Sequence, residues 1–473
     1  MFIYMSSENK LKRNCKKSEV IMGPFIRTKN DTDKIFKNLF IALIPIIIFS
    51  FYKNGIIPFV NNKTSAIGLF YPLIFILIGG LSSYLIEKIY CKILKKQSYG
   101  SIFPGIFISL VLPINTPIEI LIFACFIGII VGKMLYGGFG NNVFNPALIG
   151  CLFVLTAYSS IIVNNGGYLN SYELDAIARP TPLSNSVEGI GTYDTLVKPY
   201  GNLFDFFIGL IPGSVGETSS LLCLIALIYL GIKKVIKIEI PIFYITTVFI
   251  LTYIIGLSNG LGLWYPLFQI FSGGLMFGAV FMATDPVTSP VTKLGSILYG
   301  VCLGILTVIC RYLTSYPEGV LTSILIMNML VFILDKIGTR DKNYMKKILI
   351  SISALLIIAI SIIFKINNSF TSIDNDFNII EKNTKNNITT YVATQKGFKG
   401  NIKAGIKIEN NKIIEYKILE CNDDYLSIVE KNNYLEKLKN NPEIDTVSGA
   451  TKTSTALKKL IINVMKDSDI YEK

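Results

Sequence analysis

Long apolar runs alternate with short polar or basic segments over most of the chain. They fall at about residues 36–52, 66–86, 101–116, 117–135, 143–163, 218–233, 239–257, 264–283, 294–312, 318–335 and 347–365. Several approach the roughly 20 residues that a membrane-spanning helix needs, and the shorter run 101–116, broken by Pro104, Gly105 and Pro113, predicts a half-helix. The first ten runs divide at the long loop 164–217, five on each side, and each half holds a polar, proline-bearing break, at 137–147 and at 284–292. Paired interruptions predict a five-plus-five inverted repeat with a site at the repeat interface, the alternative being two unrelated loops. Beyond residue 365 the period changes. Ile402, Ala404, Ile406 and Ile408 alternate with other residues, Asn410-Asn411-Lys412 marks a turn, and Ile414, Tyr416 and Ile418 alternate again, which predicts a β-hairpin. Leu457, Leu460, Ile461 and Val464 then fall at helical spacing.

The pattern predicts four parts: a polar cytoplasmic arm at 1–35, a polytopic helical membrane block of about ten spans at 36–335, a basic linker with an eleventh anchor helix at 336–365, and a small α+β domain at 366–473. The first 35 residues contain no apolar signal-peptide core, so the first span itself is expected to direct insertion. With 51% hydrophobic residues over 473 positions and a mean hydropathy of +0.52, the composition is that of an integral membrane protein.

Charge and cysteine usage narrow the chemistry. A net charge of +13 raises nucleic acid as a partner, but the basic residues cluster in the N-terminal arm and at 88–96, 233–237 and 336–347, beside apolar spans. That is the positive-inside distribution of a protein whose neighbour is lipid, and it argues against nucleic acid. The eight cysteines form no CxxC pair, which argues against an iron–sulfur or zinc site held by this chain alone. Histidine is absent, so His-ligated haem and His-based acid–base catalysis are excluded. If the chain moves electrons, an organic cofactor must carry them.

Two strings stand out: Ser448-Gly449-Ala450-Thr451, preceded by Asp445, and Ser289-Pro290-Val291-Thr292, preceded by Asp285. In each, a threonine follows a serine by three residues and stands before a segment of helical spacing. A helix start offers unpaired N–H groups and a positive dipole end, so a phosphate esterified to the hydroxyl would be partly neutralised there. The plain alternative is a pair of ordinary helix caps. Asp285 at membrane depth requires a partner or a polar cavity, with helix capping again the alternative; Glu217, Lys133 and Glu119, within or beside spans, are further candidates.

The first string, Asp445 to Ser454, resembles the signature of domains that carry FMN through a phosphodiester to threonine. The second, Met282 to Thr292, resembles the loop of the membrane D subunit of Rnf electron-transport complexes and of the related B subunits of sodium-pumping NADH:quinone oxidoreductases. Gly23-Pro24-Phe25-Ile26-Arg27, the Gly137 to Pro146 loop, Asp175-Ala176-Ile177 with Thr181-Pro182-Leu183, and Pro212 to Ser219 resemble further D-subunit signatures in the same order. The eleventh span and the tail, with Gly397-Phe398-Lys399-Gly400, resemble the Rnf G subunit, although Cys421-Asn422-Asp423-Asp424-Tyr425 stands where that family has a Thr-Pro-Gly stretch.

The resemblance implies a urea-channel-like membrane domain fused to an FMN-binding domain. It also implies two covalent FMN groups, on Thr292 and Thr451, with Ser448, Gly449 and Ala450 giving the transferase and the flavin ring access, Asp445 helping to present the hydroxyl, and Asp285 and Ser289 as further cofactor-binding residues. Noncovalent riboflavin occurs in some relatives. The implied function is a flavin-carrying subunit of an ion-translocating ferredoxin:NAD+ oxidoreductase in the bacterial inner membrane, with Rnf-type subunits A, B, C, E and G and a flavin transferase as partners and Na+ or H+ as the coupling ion. The C-terminal domain is expected on the extracytoplasmic side, where family transferases act. Counting every span as crossing places Thr292 on the opposite side from Thr451. The alternatives are a B-type subunit of a Na+-translocating NADH:quinone oxidoreductase, a urea-channel-like transporter, and an assembly subunit without flavin.

Overall fold

The computed structural model describes residues 32–95, 99–165, 183, 192–313, 319–339, 361, 377–385, 388–396, 401–409, 412–421, 426, 429, 433–440 and 451–467. The chain forms two compact units, residues 1–187 with 191–360, and residues 188–190 with 361–473.

The first unit is helical. Helix α1 (Thr32–Phe51) runs on through a π-helical turn, Tyr52–Ile56, and a last helical turn, Ile57–Val60. Helix α2 (Ala66–Leu94) starts where the Ser65 side chain accepts from Gly68 N, and it ends at Lys95 in the left-handed region. Next come α3 (Ile102–Val111), α4 (Ile118–Ile129) with a π turn at Ile130–Met134, α5 (Pro146–Ala157), α6 (Ser220–Ile232), α7 (Glu239–Ser258) and α8 (Trp264–Phe271). The three-residue α9 (Leu275–Phe277) leads into a third π turn, Gly278–Met282, before α10 (Lys293–Leu313) and α11 (Val320–Gly338).

Among the described residues five helices are long and apolar enough to cross a membrane: Thr32–Val60, α2, α7, α10 and α11. A sixth is broken, with α8 and the α9 segment bent by 66° at residues 272–274. The expectation of about ten crossings counted apolar runs, and several runs are not single helices. The half-helix predicted for 101–116 is the ten-residue α3, and the runs 143–163 and 218–233 contain α5 and α6 of 12 and 13 residues. Proline and glycine punctuate these runs without interrupting their hydropathy. The eleventh run, 347–365, lies almost wholly outside the described residues.

The two halves repeat one order of parts. A long helix, a short helix, a helix ending in a π turn, a polar loop and another helix occur as α2, α3, α4 and α5, and again as α7, α8, α9 and α10. Small residues let the first of these pack closely. At Gly105 of α3 an added Cβ would collide with the Gly79 carbonyl and Ser83 Oγ of α2, and at Gly79 it would stand 2.7 Å from the Gly105 carbonyl.

The second unit is a small sheet domain. Strands β1 (Asn378–Lys385), β2 (Ile388–Lys396), β3 (Asn401–Glu409) and β4 (Lys412–Glu420) form an antiparallel sheet in sequence order. One face is covered by α12 (Tyr434–Asn440) and α13 (Thr451–Asp467). The predicted hairpin is β3 and β4, and Ile402, Ala404, Ile406 and Ile408 point into the core with Leu457, Leu460, Ile461 and Val464 of α13. Ile414 departs from the predicted alternation. A register shift between Lys407 and Ile408 turns Ile413 inward and leaves Ile414 exposed. Strands β1 and β2, rich in Asn, Lys and Thr, lacked a strong alternating signal; pairing with β3 determines their place.

Gly105→Ala is expected to lower stability by about 1–3 kcal/mol through overpacking against backbone. Gly262→Ala, whose added Cβ meets nothing closer than Trp264 Cδ1 at 3.6 Å, should leave it unchanged. Thermal midpoints of the detergent-solubilised protein, followed by fluorescence-detected size exclusion, distinguish the two.

Candidate functional site

The Asp285 to Thr292 segment lies between the third π turn and α10. Asp285 accepts from Thr288 Oγ1 at 2.9 Å and from the Val287 and Thr288 backbone, so its carboxylate closes the turn at 286–288. Capping is therefore the role its contacts display. Ser289 is buried, with its N–H on the Asp285 carbonyl at 3.0 Å. Lys237, from the α6–α7 turn, donates to the Pro290 carbonyl, and Lys293 lies 3.9 Å from Glu239.

Thr292 is the N-cap of α10. Its Oγ1 accepts from Gly295 N at 3.1 Å and donates to Asp335 Oδ1 at 2.9 Å. Asp335, near the end of α11, also accepts from Thr292 N at 2.8 Å and from Val291 N at 2.9 Å. The position proposed from sequence for a phosphate thus holds the chain's own carboxylate. Packing closes it further, because a Cβ at Gly338 would collide with Thr292 Oγ1. A phosphodiester on Thr292 would have to expel Asp335 and separate α11 from α10. Sequence reading missed Asp335, although an acid closing an apolar run was the available signal.

The loop of the first half has the same design. Asn145 caps α5 by accepting from Ala147 N at 3.0 Å, while its Nδ2 donates to the Met282 carbonyl at 3.3 Å in the other half. Asn328 on α11, with its amide oriented to suit its neighbours, accepts from Asn145 N at 3.1 Å and donates to Tyr299 Oη at 2.9 Å. Both caps are therefore tied to α11.

Glu217 lies at the break between α8 and α9. Ser214 Oγ donates to its Oε2 at 2.7 Å, and a Cβ at Gly274 would meet its carboxylate at 2.6 Å. Neighbouring residues of the same loop cap α3, with Gly216 N on the Leu110 carbonyl at 2.8 Å and Val215 N on the Leu112 carbonyl at 3.2 Å. Lys53 and Asn54, turned inward by the π turn of α1, donate to Thr218 Oγ1 at 3.0 Å and to the Val215 carbonyl at 3.2 Å. Neither was singled out in sequence, where they read as a polar end to the first span. Lys133 is buried and pairs with Glu87 at 2.8 Å, whereas Glu119 is exposed in the first turn of α4, where a carboxylate suits the dipole.

Thr451 is the first residue of α13, a 17-residue helix, so the motif stands at a helix start as predicted. Asp445, Ser448, Gly449 and Ala450 lie outside the described residues, as do Gly23 to Arg27, Asp175 to Pro182 and Gly397 to Gly400. Within the first turn, Thr453 and Ser454 are buried against the sheet, and Tyr416 Oη donates to the Leu457 carbonyl at 2.9 Å. Among the described residues the cysteines are free, and no group of three or more His, Cys, Asp or Glu side chains is placed to hold a metal.

The NQR2, RnfD, RnfE family profile matches residues 19–345, which includes both capped loops and the Pro212 to Ser219 string. The chain belongs to this family. An FMN-binding domain profile matches residues 397–466, ending within α13. The chain is similar to the D subunit of the proton-translocating ferredoxin:NAD(+) oxidoreductase complex of Clostridium ljungdahlii, 32% identical over 70% of this chain and 96% of that protein. It is 31% identical to the D subunit of the Na(+)-translocating complex of Acetobacterium woodii, over 69% of this chain and 94% of the relative. The B subunit of the Na(+)-translocating NADH-quinone reductase of Chromohalobacter salexigens is 32% identical over 52% of this chain and 61% of its own length. The member described here is thus a family membrane unit joined to a domain that binds FMN.

Thr292→Val is expected to destabilise the membrane unit by about 1–2 kcal/mol, and Thr292→Ser to cost much less, because only the serine keeps the cap. Asp335→Ala should cost at least as much as Thr292→Val, since it unpairs two backbone N–H groups and a hydroxyl. Thermal midpoints of the three variants test this order.

Proposed function

We propose that this protein is a flavin-carrying membrane subunit of an ion-translocating ferredoxin:NAD+ oxidoreductase of the Rnf type. In this proposal FMN is esterified to Thr451. The single observation that carries it is the fusion of a complete D-type membrane unit to an FMN-binding domain with Thr451 at a helix start. The length match favours the Rnf type over the NADH:quinone oxidoreductase type, since the D subunits are covered almost end to end and the B subunit over 61% of its length.

The fit at Thr451 rests on the chemistry of its surroundings. The first N–H groups of α13 have no intrahelical acceptors, and they carry the positive end of a 17-residue helix, which suits a phosphodiester. FMN, when bound, supplies exchange between two-electron and one-electron donors. The chain's residues would hold it: Thr451 as the tether, and the adjacent Ser448, Gly449 and Ala450 as small neighbours that let the ring and the transferase approach. Asp445 would help present the hydroxyl.

For Thr292 the expected flavin is replaced in this proposal by the cap on α10. Asp335 already provides the anion at that helix start, and a second anion would meet its repulsion. Sidedness supports the same conclusion. Pro290 and Thr292 lie with Lys237, Lys293 and Lys336, and the positive-inside rule puts such a cluster at the cytoplasmic face, away from a transferase acting on the exported side. A crossing at 347–365 would then place the C-terminal domain outside. The partners would be the other Rnf-type subunits and the transferase. The buried polar set of Lys53, Asn54, Glu217 and Thr218 at the helix breaks argues against an open solute channel, because each of these side chains has a hydrogen-bond partner inside the unit, Lys53 with Thr218, Asn54 with the Val215 carbonyl and Glu217 with Ser214.

The test is mass spectrometry of tryptic peptides from full-length protein coexpressed with a flavin transferase, with in-gel fluorescence alongside. The peptide 440–452 should carry FMN in wild type and lose it in Thr451→Val, and the peptide ending at Lys293 should be unmodified. An unmodified Thr451 overturns the flavin assignment. FMN on Thr292 overturns the cap assignment alone.

A further inference from the structure

The membrane unit has an open groove of about 360 Å³ in its surface, lined by Leu203, Phe204, Phe207 and Phe271. Its walls are two short helices. Leu203, Phe204 and Phe207 belong to the six-residue helix Leu203–Ile208, which starts where Asn202 N donates to Asp205 Oδ2 at 2.8 Å. Phe271 is the last residue of α8, just before the 66° bend at 272–274. Phe207 packs on Phe271 with ring centroids 5.1 Å apart, and Phe206 on Phe268 at 5.4 Å, which holds the two helices side by side. Both helices end here. The short one stops at Gly209, whose φ is +102° and where an added Cβ would collide with the backbone of Thr218 and Ser219, so the chain turns inward towards the loop that caps α3. Phe204 is left 67% exposed on the rim. Seven residues before Phe271 on the same helix, Trp264 meets the Tyr193 ring at 5.3 Å, and in the turn after Tyr193 an exposed ion pair joins Lys198 to Asp194. Amphipathic rings beside exposed charges mark the headgroup level of a bilayer. Seven helical residues descend about 10 Å, which puts the groove within the hydrocarbon.

We propose that this groove is a binding site for one acyl chain of a membrane phospholipid. The leaflet follows from the sidedness read above: α7 starts beside Lys237 at the cytoplasmic face, and Trp264 follows its far end, so the lipid belongs to the extracytoplasmic leaflet. The ligand class does not depend on that sidedness. Two observations select an acyl chain over a helix of a neighbouring subunit. A six-residue helix is about 9 Å long, so the groove extends along under a third of the roughly 30 Å that a spanning partner would cross. Its lining also has none of the small or hydrogen-bonding residues through which membrane helices associate closely. A flexible hydrocarbon chain fits a short apolar slot, and the aromatic and charged residues above it suit the headgroup end. Left empty, the slot would cost its ring faces their dispersion contacts. Filled, it braces the helix Leu203–Ile208 against α8 at the depth where both stop and the loop carrying Glu217 begins.

The test titrates full-length protein in detergent with phosphatidylcholine brominated on its acyl chains, a contact quencher of tryptophan fluorescence, with the unbrominated lipid as reference. Trp264 is the single tryptophan of the chain, so Trp264→Phe gives a dark background. In that background Phe204→Trp places a probe in the groove, at a position exposed enough to accept it. Phe332→Trp places a control on α11, where Phe332 is 70% exposed and outside the groove. Half-maximal quenching of the groove probe should require about fivefold less lipid than that of the control, because a site retains its ligand and an ordinary lipid-facing surface only exchanges it. Leu203→Trp, a second groove probe in the same background, should show the same shift, so the result does not hang on one substitution. Groove probes quenched at the same lipid level as the control, or at a higher one, overturn the proposal. The measurement does not read the flavin, so its failure and that of the redox reading are distinguishable.

Discussion

Every backbone N–H and C=O group that leaves a helix at membrane depth needs a partner inside the protein, and the membrane unit is organised around supplying those partners. Short and broken helices create the demand. The last carbonyls of α3 are met by the Val215 and Gly216 N–H groups, the start of α5 by Asn145, and the start of α10 by Thr292 and Asp335. Val215, Gly216 and Asp335 come from segments distant in sequence from the helix ends they complete. Such a cap is also a tertiary contact, and helix α11 is drawn into both halves through Asp335 and Asn328.

The same constraint accounts for the buried charges. Lys53, Lys133, Glu87 and Glu217 would each be costly alone in this environment, and each is held by a hydrogen bond or an opposite charge. Two of the three π turns carry such a residue, Lys53 in the first and Lys133 in the second. Adding one residue to a helical turn rotates the residues beyond it, which lets a side chain that the regular 3.6-residue period would place elsewhere face inward. The third π turn carries Phe281 at the position of Lys133, packed near Phe107 and Phe277. The two segments therefore share their order of parts and differ in charge.

The C-terminal unit obeys the rules of a small water-soluble domain. Its sheet buries one face against α12 and α13, and the core runs from Tyr391 and Ile406 to Leu460 and Val464. Holding α13 against the sheet through Leu457, Leu460 and Ile461 fixes the start of that helix, and with it Thr451, relative to the strands. A domain that binds FMN needs this kind of support, because the positions of the cofactor's neighbours matter more than any single bond to it.

Hydropathy by itself determined that this is a membrane protein with a soluble tail, and local period determined β3, β4 and the buried face of α13, because these features depend on neighbours close in sequence. The paired polar breaks were legible for the same reason, as was the helix start at Thr451. How often the chain crosses was not, since an apolar run gives no sign of where proline and glycine divide it into half-helices. Nor was the state of Thr292. In sequence it and Thr451 sit in matching strings, yet Thr292 is claimed by Asp335, forty-three residues away. Alternation assigned Ile414 to the core, and a bulge put Ile413 there instead. Strand register, the facing of π turns and the pairing of distant charges are decided by non-local contacts, and only tertiary packing brings those residues together.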